Sequence, residues 1–170
     1  MSPDLINLTL MLTKTKKCSI LLKLFFLLLT AVPLLAVPAL LEASTAEEIE
    51  TLLGSAVITY AQASRFILEA ANALVTGSGE EAFNYAAANN WLPENAVSGD
   101  SARLDHISLL LMRSFSMNGG IMYSLFGNSH YAYRELVYLN IIQGRTDPMM
   151  FVSGERLLFY VNRILEHLGN

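Results

Sequence analysis

Ala102-Arg103-Leu104-Asp105-His106-Ile107-Ser108-Leu109-Leu110-Leu111-Met112-Arg113-Ser114-Phe115 is the stretch on which the fold turns. Its leucines, isoleucine and methionine are too dense for a single solvent-facing stripe, so it reads as a helix buried on most sides at the centre of a core. Working outward, residues 59–75 space Ala63, Phe66, Ile67, Ala70, Ala71 and Leu74 by three and four, the pattern of an amphipathic helix. Residues 80–93 open on Glu80-Glu81 after Gly77-Ser78-Gly79 and end at Asn89-Asn90 before Trp91-Leu92-Pro93, which predicts a short helix with acids at its positive end. On the other side, Met117-Asn118-Gly119-Gly120 is a stop, and residues 121–127 form a short apolar turn or helix closed by Gly127-Asn128. Residues 131–142 carry apolar positions at Ala132, Leu136, Val137, Leu139 and Ile142, with Gly144 as the expected C-cap. A last amphipathic helix covers 153–169. No segment alternates with period two for a useful length, although a Val-Ser-Gly segment and Ala56-Val57-Ile58-Thr59 suffice for a brief pairing. The fold class is all-α.

The whole chain has 170 residues, 53% hydrophobic and 15% charged, with a mean hydropathy of +0.41. Most of the excess lies in residues 24–41, which contain no charge and only Thr30 as a hydroxyl residue. All four lysines fall in the first 23 residues, where Asp4 leaves a net +3. Past Ala43, seven Arg face thirteen Asp plus Glu, a net −6. A basic start, an apolar run and small residues around Leu41-Glu42-Ala43-Ser44 form the pattern of a secretory signal peptide, with cleavage expected after Ala36 or Ala43. The competing reading is a retained anchor with membrane association through residues 19–41, because 18 apolar residues nearly cross a core of about 30 Å. Pro33 and Pro38, which break a helical ladder, favour cleavage.

The expected organisation is therefore 1–43 as signal peptide or signal anchor and 44–170 as one helical domain, in units of about 47–76, 80–117 and 121–168. About 127 residues suffice for one hydrophobic core and not for two. The expected location is exported: periplasm, cell envelope or membrane-anchored. Cys18 precedes the apolar run and is the only cysteine, so the domain has neither a disulfide nor a cysteine metal site to hold it. Abundant apolar residues exclude a disordered chain, and no basic tract suggests nucleic acid.

Three helix starts overlay: Thr59-Tyr60-Ala61-Gln62, Ala102-Arg103-Leu104-Asp105 and Ser153-Gly154-Glu155-Arg156, at spacings of 43 and 51. The second and third each follow a short aromatic-containing helix, an Asn- or Gly-bearing stop and a polar loop. These residues resemble the S-layer homology repeat, a helix–loop–helix unit that usually comes in threes. In the third unit, Tyr131-Ala132-Tyr133, Leu136, Ile141-Ile142-Gln143-Gly144 and Asp147 are similar to that family's aromatic-Ala-Tyr, leucine, Gly-Ile-Ile-x-Gly and Asp-Gly elements, with Asn140 in place of the first glycine. In the second, Tyr85-Ala86 and Asn90-Trp91 fall in similar places, and Ala102-Arg103-Leu104-Asp105 resembles the Thr-Arg-Ala-Glu signature. The resemblance covers about residues 55–168. It departs in the loop from Asp147 to Ser153, which is short and displaces Phe151, and in the signature arginine, matched only by Arg103 because Tyr60 and Gly154 stand in the other units. The resemblance implies a three-repeat helical prism whose grooves hold anionic cell-wall polysaccharide with the help of that arginine. In a domain at −6, an anionic polymer would need a local cluster, and the nearest candidates are Arg103, Arg145 and Arg156. The resemblance thus implies the fold more strongly than the ligand.

Five residues are candidates for ligand or partner contact: Arg103, Trp91, Tyr131, Arg134 and Arg145. Arg103 at a helix start suits a carboxylate or phosphate, or simply a pairing with Asp100 or Asp105. Trp91 suits a sugar ring or a partly buried wedge. Tyr131 belongs to an aromatic group with Tyr123, Tyr133, Tyr138 and Phe126, whose exposed members beside Arg134 and His130 suit a protein or glycan surface, or ordinary core and rim. Thr59 and Ser153 are helix caps, and Thr59 with Gln62 fits a capping box. His106, His130 and His167 are scattered, with Asp105 and His106 expected on different helix faces, and there is no H-E-x-x-H, P-loop or G-x-S-x-G pattern. No catalytic, cofactor or metal residue is assigned, and no cofactor is expected. The resulting expectation is a non-enzymatic envelope interaction or structural module that holds a cell-envelope polysaccharide or an envelope protein between units. Its alternatives are a membrane-anchored helical protein-interaction domain and a small periplasmic hydrolase without a recognisable motif.

Overall fold

The computed structural model describes residues 46–144 and 146–169. The expectations for the signal or anchor segment and for Arg145 lie outside the described residues. The helices are α1 (46–53), α2 (Tyr60–Ala70), α3 (Gly79–Ala88), α4 (Leu104–Ser114), α5 (Ile121–Phe126), α6 (Ser129–Tyr138) and α7 (Gly154–Gly169). Among the described residues there is no strand, only isolated bridges between Thr59 and Ser101 and between Arg103 and Phe151. The chain is all-α in these residues.

Local sequence accounts for the helix starts. Thr59 Oγ1 accepts the Gln62 N–H at 3.3 Å while Gln62 Oε1 accepts the Thr59 N–H at 2.9 Å, a complete capping box. Ser78, Asn128 and Ser153 accept from the third residue beyond them, at Glu81, Tyr131 and Arg156. Arg103 is the N-cap of α4 and makes no side-chain cap bond, since a guanidinium has no acceptor.

The ends correct two expectations. The amphipathic pattern predicts helices to 75 and to 142, but α2 stops at Ala70 and α6 at Tyr138. Asn72 (φ 51°) and Asn140 (φ 58°) take the left-handed conformation that terminates each helix, a conformation asparagine tolerates better than most residues. Gly144, at φ 81°, serves the following loop rather than the cap.

Nine of the eleven residues of α4 are buried, and Leu104, Ile107, Leu110 and Leu111 are wholly inside. It packs on α6 and α2, while α2 also packs on α3 and α7, and α5 lies on α6. Ile67, Leu136, Leu157 and Ile164 close the same core.

The repeat is visible in the backbone. The Ala73 N–H to Leu68 carbonyl bond recurs 44 residues later as Met117 to Met112, both 2.9 Å, with Asn72 and Ser116 left-handed beside them. The Trp91 to Ala86 bond recurs 50 residues later as Ile141 to Leu136, again both 2.9 Å, next to left-handed Asn90 and Asn140. The two offsets differ by six, the length of α5, so α5 is an insertion between α4 and α6.

Three backbone bonds then close a ring. Ile58 N–H donates to Val152 O at 2.9 Å, Val152 N–H to Ala102 O at 3.0 Å, and Ala102 N–H to Ile58 O at 2.8 Å. Ile58, Ala102 and Val152 are therefore equivalent, all within 1% of full burial. This shifts the sequence overlay of the second unit by one residue. Arg103 stands with the caps Thr59 and Ser153, and Leu104 is the residue matched to Tyr60 and Gly154.

Gly154 is fixed by the same closure. A Cβ there would lie 1.7 Å from the Leu52 carbonyl oxygen, and its N–H donates to Ser55 O at 3.0 Å.

Candidate binding cleft

The ring brings the loop before α4, the first turns of α2 and α4, and Phe151 around a cleft of about 350 Å³. Tyr60, Asn95, Asp100, Arg103, His106 and Phe151 line it. Tyr60 and Leu104 start equivalent helices, so the phenol occupies a place where the second unit has only a buried leucine.

The polar groups are tied to one another. Asp105, almost buried, accepts from Arg103 Nε at 3.2 Å and Nη2 at 2.8 Å, and from the His106 backbone N–H at 3.0 Å. His106 Nε2 lies 3.7 Å from the same carboxylate. Tyr60 Oη is 2.5 Å from His106 Nδ1, and the two rings stack with centroids 5.8 Å apart. The Arg103 backbone N–H donates to Tyr60 Oη at 3.4 Å. One proton arrangement satisfies every contact: the Tyr60 hydroxyl donates to Nδ1, and the imidazole proton sits on Nε2, facing Asp105.

Burial sets the ionisation. It holds the His106 imidazole below its ordinary value; Asp105 opposes the shift and Arg103 reinforces it. Burial also raises the Tyr60 phenol, against the Arg103 N–H bond and the Arg103 charge. Both rings are neutral near pH 7, and Arg103 is neutralised by Asp105. The cleft thus offers hydrogen-bonding groups with little net charge beside an aromatic side chain, Phe151, that is 54% exposed.

The geometry corrects one expectation and sorts the candidates. Asp105 and His106 do not face apart: the carboxylate folds back onto the imidazole and its own helix start. Arg103 lies in the cleft, paired with Asp105. Trp91 is not part of it. Its indole packs partly buried against the core and meets Tyr85 edge-on at 5.7 Å. Tyr131 and Arg134 border a different depression, of about 560 Å³, between α5 and α6, where Tyr131 stacks on Phe126 at 5.1 Å.

The sequence does not assign Tyr60, His106 or Phe151 to a binding site. Tyr60 and His106 are 46 residues apart, and only closure of the ring joins them. A register set on the Ile58–Ala102–Val152 equivalence would have singled out Tyr60 as the unmatched polar residue.

Among the described residues no group of three or more His, Cys, Asp or Glu is placed to hold a metal ion. No helix among them is long and apolar enough to cross a membrane. Comparison of the chain with protein-family models, curated proteins and solved structures finds no match.

Proposed function

We propose that the chain is an exported, non-catalytic interaction module of the cell envelope, holding a weakly charged glycan in the Tyr60–Arg103–Phe151 cleft. The observation that carries this reading is the half-exposed Phe151 ring beside fixed donors and acceptors, an arrangement suited to a sugar with an apolar face and a rim of hydroxyls. Strongly anionic polymers fit less well, because Asp105 compensates Arg103 and Asp100 borders the same space. A catalytic role for His106 is disfavoured by its neighbours: both ring nitrogens face protein groups, and its hydrogen-bonded partner is a phenol made less acidic by burial. Export rests on the basic and apolar pattern of residues 1–43.

The test is calorimetric titration of the full chain with purified neutral and acidic cell-wall polysaccharide fragments, repeated with Phe151→Ala. Phe151 is exposed enough for its removal to leave the fold intact. Binding of neutral fragments that Phe151→Ala abolishes is expected; binding equal to that of the unaltered chain refutes the cleft.

The second reading, a membrane-anchored protein-interaction domain, draws on the 18 apolar residues at 24–41. Cell fractionation with mass spectrometry of the N-terminus separates the two. A start near Ser44 in a soluble extracytoplasmic fraction supports the exported module, and an intact 14–41 segment in the membrane supports the anchor.

A further inference from the structure

The six-residue α5 has no counterpart in the α2–α3 connection, so the repeat closes without it and what it adds is surface. Of its side chains only Tyr123 turns inward. Ile121 is 84% exposed and Leu125 72%, with Met122 and Phe126 each more than half exposed. Tyr138, on the neighbouring α6, is 79% exposed. Isolated exposed apolar residues are ordinary, but five on and beside one inserted turn form a patch.

The charge around this patch differs from the rest of the domain. Between Asp105 and Glu135 the sequence holds Arg113 and Arg134 and no acid, whereas the remainder past Ala43 has five Arg against thirteen acids. Both guanidinium groups are exposed, and neither pairs with a carboxylate among the described residues. Arg113 Nη2 donates to Gly127 O at 3.2 Å, and its guanidinium lies 5.7 Å from the centre of the Tyr123 ring, which fixes a positive charge at the foot of α5. Glu135 is the one acid nearby, and its carboxylate lies against Gly120, 3.2 Å from where a Cβ would stand.

We propose that α5 is a docking foot for an anionic lipid surface, with Ile121, Met122, Leu125 and Phe126 entering the headgroup–acyl boundary and Arg113 and Arg134 facing lipid phosphates. Ile121 and Met122 edge the depression between α5 and α6, but at 84% and 72% exposure Ile121 and Leu125 project outward rather than lie along a groove that would grip a partner helix. A second copy is the poorer occupant: a two-fold contact centred on the patch would bring Arg113 and Arg134 toward their own images, whereas lipid phosphates answer both charges. Arginine pairs bidentately with phosphate, and amphipathic rings such as Tyr138 settle at the headgroup level. The contact is weak on its own and gains from any second membrane attachment. It is independent of the glycan cleft.

The experiment reads immersion at α5 itself, so that attachment through residues 19–41 cannot imitate it. The full chain in a Cys18→Ser background carries an environment-sensitive fluorophore at Met122→Cys, or at Glu94→Cys as the control. Each is mixed with vesicles of phosphatidylcholine plus phosphatidylglycerol that contain a spin-labelled quencher lipid. Quenching and a blue shift at 122 but not at 94 are expected, lost when Ile121→Ser and Leu125→Ser are added and reduced several-fold by Arg113→Gln with Arg134→Gln. A label at 122 that stays unquenched while the chain is vesicle-bound overturns the proposal. So does a blue shift that appears without vesicles and grows with protein concentration, the sign of a second copy.

Discussion

Gly154→Ala should destabilise the domain although the same change in most helices does the reverse. Gly154 is the first residue of α7 and has no positive φ, so alanine there would ordinarily gain about 0.5–1 kcal/mol from helix propensity. Here the new Cβ would stand 1.7 Å from the Leu52 carbonyl oxygen and 2.5 Å from its carbon, both backbone atoms that no rotamer change can move aside. The helix start must retreat from α1, at an overpacking cost of about 1–3 kcal/mol. The Gly154 to Ser55 bond at 3.0 Å is lost with it, worth about 1 kcal/mol. Against the propensity gain, the net loss is about 1–3.5 kcal/mol, which at the middle of that range lowers the urea midpoint by roughly 1 M at the m-values of small domains. Urea unfolding of the full chain followed by Trp91 fluorescence measures it. Gly77→Ala, with no atom within 4 Å of the added Cβ, is the control and should stay within about 0.5 kcal/mol. If Gly154→Ala were as stable as the control, Leu52 would not lie on Gly154, and the closure that aligns the three helix starts would be wrong.

Three further outcomes follow from single side chains. Among the described residues the Tyr123 hydroxyl and Ser64 Oγ are buried without a hydrogen-bond partner, so Tyr123→Phe and Ser64→Ala should each be neutral or stabilising by up to about 1 kcal/mol in thermal unfolding. Since burial lowers the folded-state His106 value, the unfolded chain takes up the proton first as pH falls. The His106 contribution is therefore full above about pH 6.5 and is lost as pH drops from there toward the folded value; urea midpoints should fall across that window, and His106→Gln should flatten the slope. Arg103→Ala leaves the Asp105 carboxylate, 12% exposed, without its bidentate partner, and should cost about 1–3 kcal/mol by urea unfolding, whereas Arg156→Ala on the surface should cost little.

The long helices could be read from spacing alone. Ala63 and Ile67, Ala132 and Leu136, and Leu157, Val161 and Ile164 fall at intervals of three and four within their helices and are all buried, because an apolar stripe has no other stable place. Helix ends were harder, since Asn72 and Asn140 stop helices whose apolar spacing continues past them. The sequence puts Arg103 at a loop-to-helix junction but one residue out of register, because the Ile58–Ala102–Val152 bonds involve backbone groups that leave no trace in side-chain pattern. Tyr60 and His106 were beyond reach for the same reason: their contact is a product of closure, not of neighbourhood.

Equivalent positions that carry different residues mark where the units have acquired different work. At one such position the three units have Tyr60, Leu104 and Gly154. Leucine there fills core, glycine admits the Leu52 carbonyl and completes the ring, and tyrosine reaches His106 and turns the junction into a polar cleft. The cap position varies in the same way: Thr59 and Ser153 accept helix N–H groups, whereas Arg103 cannot, and its side chain bends onto Asp105 instead. The α4–α6 connection differs by a whole helix, and α5 carries Ile121, the most exposed large apolar side chain among the described residues, with Leu125 at 72%. A repeat held together by identical backbone bonds can vary such positions at small cost, because the ring depends on Ile58, Ala102 and Val152 rather than on the side chains beside them. Chemistry and surface are concentrated where the repeat is broken, and exchanging Tyr60 for leucine should erase the polar cleft while leaving the ring intact.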